Sequence, residues 1–214
     1  MNFKHKAAMV AISAATAAAL LGVAGTAQAA FQGRDATGAA SATCTVTGEG
    51  KCTYFYDTTL DITILNAWNI GPRVSWSASA APGSAQELAA SIGLELSGLA
   101  GWVLPTGDGG AAAGAQNQYK SIYTDVGSTF AGLSGQFDGV HSAHYWSGTV
   151  SAPDNAWHFF TNGGVQNTDN QTNELFAVAV RPGDVAAAVP EPETYAMMLL
   201  GLGALMGAVR RRPR

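Results

Sequence analysis

The sequence predicts an α+β domain with two short helices, then an antiparallel strand cluster towards the C-terminus, and a single transmembrane helix closing the chain. Three observations lead there. Apolar residues recur at helical spacing through the middle of the chain, at Tyr119, Ile122, Tyr123, Val126 and Phe130. Three β-rich runs crowd the last third, Tyr145 to Thr149, Trp157 to Thr161 and Leu175 to Arg181. The end of the chain, residues 189–214, sets an acid-proline motif before a charge-free apolar run and an arginine cluster. Helices first and strands later exclude the strict alternation of a doubly wound parallel sheet.

From the start, Lys4 and Lys6 precede an apolar stretch from Ala7 to about Val23 and a small-residue site, Ala27-Gln28-Ala29. That is the pattern of a secretory signal over residues 1–29, exported through the Sec translocon and cut between Ala29 and Ala30. An uncleaved N-terminal anchor is the alternative. The remaining chain, about 160 residues, is long enough for one domain with a core of its own.

Between the two terminal segments, five basic residues face thirteen acidic ones, a net charge of −8. Nucleic-acid and anionic-membrane surfaces need a lysine and arginine footprint, so both are excluded as partners of this domain. The 26 glycines of the chain fit a loop-rich exported module better than a helical bundle.

Residues 30–53 hold the two cysteines of the chain, Cys44 and Cys52, flanking a turn at Gly48-Glu49-Gly50. In an exported protein this spacing favours a disulfide that staples a hairpin, worth about 2.5 kcal/mol through loop-closure entropy. A metal site would need more ligands nearby, and a redox pair would need Cys-x-x-Cys. Thr53 to Leu65, rich in β-branched and aromatic residues, reads as strand broken near Asp57.

Ser84-Ala-Gln-Glu87 is a capping box that opens a short helix, with Leu88 and Ile92 on its buried face and Gly93 as its end. Gly101-Trp-Val-Leu-Pro-Thr106 and a glycine-alanine loop to Gly114, expected to be exposed and mobile, lead to the second helix at about Asn117 to Thr129. Trp102 and Trp146 read as core anchors. Trp157 and its neighbour His158 are the candidate ligand contacts.

Two clusters could carry metal chemistry. Asp138, His141, His144 and His158 could bind a transition metal, but His-x-x-His in a Gly-Ser loop has no helix to set its geometry. Asn167 to Glu174 supplies many oxygens, and Asp169, Asn170, Asn173 and Glu174 form a candidate calcium site. A solvated turn between strands explains the same residues. No Gly-x-Ser-x-Gly, His-Glu-x-x-His or phosphate loop occurs, which favours a non-catalytic protein.

In the tail, Val189, Pro190, Glu191 and Pro192 hold an extended, protease-accessible segment. Ala196 to Val209 then spans roughly 21 Å as a helix, marginal for a bilayer, and Arg210, Arg211, Arg212 and Arg214 form a basic stop. A buried core helix would account for neither the arginines nor the motif before it. This order resembles the PEP-CTERM sorting signal, which implies a substrate of exosortase that is held transiently in the inner membrane and then passed to the cell surface or the extracellular matrix of exopolysaccharide and biofilm.

A second resemblance rests on Trp102-Val-Leu-Pro-Thr106, Tyr145-Trp-Ser-Gly-Thr149, Ala156-Trp157 and Ala179-Val-Arg-Pro182. These motifs look like the Lcl C-terminal-like domain of unknown function, which implies a C-type-lectin-like fold over residues 54–184, with 185–188 as a linker. Val103 stands where that family usually has arginine. Together the resemblances imply a surface or matrix protein that binds exopolysaccharide or another matrix component, with a protein-binding structural or adhesive module as the alternative.

Overall fold

The computed structural model describes residues 31–188. Two antiparallel sheets dominate it. The first has four strands in the order β1 (Phe31–Arg34), β2 (Tyr54–Asp57), β3 (Ile62–Leu65) and β7 (Val180–Pro182). The second is a meander of β4 (His144–Ala152), β5 (Asn155–Phe160) and β6 (Val165–Asn170). Between them in sequence run α1 (Ala85–Ser97), α2 (Gln118–Asp125) and α3 (Phe130–Gln136).

This corrects the expected architecture. The described chain is mostly sheet, with three short helices instead of two and two sheets instead of one C-terminal strand cluster, so the C-type-lectin-like expectation is not upheld. No helix among the described residues is long and apolar enough to cross a bilayer, and the closing helix expected over 196–209 lies outside them. The tail with its sorting motif and arginines, and the signal with the Ala29 and Ala30 cut site, lie outside the described residues.

Each difference has a local cause. The helix expected over 117–129 stops at Asp125, because Gly127 and Ser128 take positive φ of 90° and 54°. Thr129 then accepts the Gly132 N–H and starts a separate helix at Phe130. Of the run Leu175 to Arg181, Val180 and Arg181 enter a strand, and that strand pairs with β3 in the first sheet. Strand β6 has no sequence signature, because Val-Gln-Asn-Thr-Asp-Asn is almost wholly exposed and lacks apolar alternation.

Helix α1 begins where the capping box places it, with Ser84 accepting the Glu87 N–H, but it runs through Gly93 to Ser97 and closes at Gly98, whose φ is 68°. Ala85, Ala89 and Gly93 form its buried stripe, while Leu88 and Ile92 are partly buried at its margin. Gly93 is required for contact, not for a turn: a Cβ there would fall within the indole of Trp102. Gly93→Ala is therefore expected to destabilise by about 1–3 kcal/mol through overpacking. Urea unfolding checks it, and an unchanged midpoint would show that α1 can shift away from the tryptophan.

The core has two parts. One gathers Trp68, Tyr119, Ile122, Leu133, Phe137, Tyr145 and Phe159 between the helices and both sheets. The other packs Trp76, Trp102 and Trp146 against α1 and the Ala177 to Ala179 segment. Trp102 and Trp146 are core residues, and their indole N–H groups are satisfied by Ser97 Oγ at 2.9 Å and the Val74 carbonyl at 2.8 Å.

Candidate functional site

The second sheet carries the chemistry-bearing residues, and its register decides which of them meet. His144 lies opposite Phe160, Trp146 opposite His158, and His158 in turn opposite Asn167. Paired residues share a face, so one face presents His144, Trp146, His158, Phe160, Asn167 and Asp169. The other presents Tyr145, Trp157 and Phe159. Trp157 and His158, the predicted ligand contacts, thus point to opposite sides, as strand neighbours must.

Trp157 is partly buried and sits under the glycine-alanine loop, with Gly109 so close that a Cβ would meet its ring at 2.9 Å. That loop is exposed at Gly109 and Gly110 yet firmly tied. Asn117, fully buried, donates to the carbonyls of Asp108 and Ala111 and accepts from the Gln166 amide at 2.8 Å, joining the loop to β6.

On the other face, His144 is exposed and stacks on Phe160 at 4.6 Å, whereas His158 is only 7% exposed. Their Nδ1 atoms stand 3.1 Å apart, so in the hydrogen-bonded state one ring donates and the other accepts. Burial, then the neighbouring His144, holds His158 below the usual imidazole range, and the Asp169 carboxylate opposes this. Burial thus favours the neutral form of His158.

The remaining histidine cluster is dispersed. His141 stacks on Phe176 at 4.7 Å, on a ring that Arg73 also faces at 4.9 Å. Asp138 pairs with Lys51 at 2.9 Å. In the candidate calcium set, Asp169 accepts from the Asn170 N–H and the Asn173 amide, and Asn170 accepts from the Thr172 N–H and hydroxyl. Those oxygens close the turn after β6, and Glu174 is exposed beyond them. Among the described residues, no three His, Cys, Asp or Glu side chains gather at one point.

Cys44 and Cys52 are joined as a disulfide. A cleft of about 500 Å³ opens beside it, lined by Phe31, Arg34, Ser41, Cys44, Phe55 and Gln136. The guanidinium of Arg34 is already engaged by Asp184 at 2.6 Å.

A second buried feature escaped the sequence. Asp57, on the strand face it shares with Phe55, is fully buried and caps the Thr59 and Leu60 N–H groups, leaving its other oxygen without a partner. Asp125, in the last turn of α2, also has a buried oxygen without one. Burial, then the charge of Asp57, raises the Asp125 carboxyl above the usual carboxylate range. A raised carboxyl stabilises the fold in its protonated form, and that contribution is lost as pH rises through its folded pKa. Asp125→Asn is expected to raise the melting temperature at pH 7 by on the order of 2 °C, with the gain gone below about pH 4. Melting curves across that range check it, and a gain that persisted at low pH would exclude the charge as its cause.

Comparison with known proteins adds one finding about destination. Residues 188–212 match the PEP-CTERM protein-sorting motif, in agreement with the tail as read from the sequence. No curated protein matches the chain. The motif implies processing by exosortase and indicates an exported, cell-surface-associated protein.

Proposed function

We propose that the protein is a non-catalytic surface component whose domain binds exopolysaccharide or another matrix polymer once exosortase has processed its tail. The sorting motif at residues 188–212 carries this reading, since it assigns the chain to the surface where such polymers lie. The acidic domain, with five basic residues against thirteen acidic ones, suits a neutral or cation-bridged polymer better than a polyanion. Strand β6 supports it further: Asn167, Thr168 and Asn170 are exposed along a strand paired on one side by β5, offering amide and hydroxyl groups to sugar hydroxyls.

The test is retention of the exported protein on the producing organism's own exopolysaccharide, with and without calcium. Retention that falls when Asn167 and Thr168 are both changed to alanine is the expected result. Passage through unretarded, with capture of surface proteins instead, would replace this reading with a protein-binding adhesive role. Turnover of the polymer would overturn its non-catalytic part.

A further inference from the structure

The two histidines on the second sheet have the geometry of a chelate. Two imidazole nitrogens at about 2.0–2.1 Å from one zinc ion stand about 2.9–3.4 Å apart, depending on whether the angle at the metal is nearer square or tetrahedral. The Nδ1 atoms of His144 and His158 are 3.1 Å apart. Neither ring is free to drift from that arrangement. His144 is stacked on Phe160 with an interplanar angle of 17°, and His158 is buried beside Trp146, with the two imidazoles inclined at 78°. Both are fixed on adjacent antiparallel strands, so the site sits on a rigid sheet and not on a loop.

We propose that His144 and His158 together bind a late first-row divalent metal, Zn²⁺ or Cu²⁺, through their Nδ1 atoms, with water in the remaining positions. The metal takes the place of the hydrogen bond between the two nitrogens: the ring that carried its proton on Nδ1 carries it on Nε2 instead, so two neutral imidazoles bind with no net release of a proton. Imidazole suits these metals, whereas calcium prefers oxygen donors and is not expected to bind here. Asp169 acts on His158 through its charge but is engaged by Asn170 and Asn173, and no third ligating side chain joins the pair among the described residues. The coordination is therefore open. The exposed side of His144 gives the ion a route in from solvent, and its water positions are exchangeable for a carboxylate or hydroxyl from outside.

The test is titration of the exported protein with Zn²⁺ by calorimetry, and with Cu²⁺ followed by electron paramagnetic resonance. One saturable site per chain and a Cu²⁺ spectrum showing two imidazole nitrogens are expected. His144→Ala, at an exposed position that leaves the core intact, should weaken Zn²⁺ binding by at least about tenfold. His141→Ala, which alters the ring stacked on Phe176, should leave it unchanged. Absence of saturable binding, a single coordinated imidazole, or affinity that survives His144→Ala overturns the proposal. Loss of affinity in His141→Ala overturns the assignment to this pair.

Discussion

Trp68→Ala is expected to remove about 3–5 kcal/mol of stability, a large share of the roughly 5–15 kcal/mol available to a domain. The residue is fully buried where three parts of the fold meet. Its ring lies 5.1 Å from Phe137 at the end of α3, 5.5 Å from Tyr145 on β4 and 6.2 Å from Tyr119 on α2. Its backbone N–H also bonds the Asp138 carbonyl at 2.8 Å, which ties the segment after β3 to the loop before β4. Truncation leaves a cavity that no single element can fill by shifting. The indole N–H has no partner, so Trp68→Phe loses ring volume but no hydrogen bond and should cost clearly less. Urea unfolding of both variants separates the outcomes. Equal losses, or a loss below about 1 kcal/mol for alanine, would show that the site collapses around the missing ring.

Arg34→Ala is the second large effect. Arg34 is 4% exposed and makes two hydrogen bonds to Asp184, at 2.9 and 2.6 Å, joining the first strand to the last turn of the described chain. Breaking a buried pair by removing one partner costs about 3–5 kcal/mol, because the remaining charge is left without compensation. Asp184 keeps 17% of its side chain exposed, which places the expected loss at the lower end. Burial alone would raise the Asp184 carboxyl, but the Arg34 hydrogen bond and the Ala186 N–H outweigh it and hold the carboxyl below the usual range. The resulting stability is present above about pH 4 and lost as pH falls through the lowered folded pKa. Arg34→Ala should remove this acid dependence together with the stability. A double variant, Arg34→Met with Asp184→Leu, should recover part of the loss. If it is no more stable than Arg34→Ala, the cost lies in packing and not in the orphaned charge.

What could be read from the chain alone was short-range. The capping role of Ser84, the strand break near Asp57, the Cys44 to Cys52 link and the sorting motif each lie within one continuous stretch of chain. The end of α1 is not legible locally, because glycine in a helix reads as a stop and nothing nearby in the chain reveals that Trp102 packs against Gly93. The buried Asp57 and the partly buried Asp125 carry no sequence signal, since their interaction exists only once the fold brings β2 and α2 together.

The histidine pair shows most plainly where that boundary falls. The sequence by itself determined that β4 and β5 are strands, and that an acid-proline motif with apolar and basic segments follows the domain. It could not determine which rungs of the hairpin align. Ala152 faces Asn155, and carrying that register back unbroken would set His144 opposite Gly163. Two register shifts, between Ala152 and Val150 and between Val150 and Trp146, bring His144 opposite Phe160 and within reach of His158. Bulges of this kind are set by packing of the sheet against its neighbours, here by Phe176 bonded along β4 and by Trp146 held at Val74. Local residue preferences do not encode them, so the site belongs to the tertiary structure.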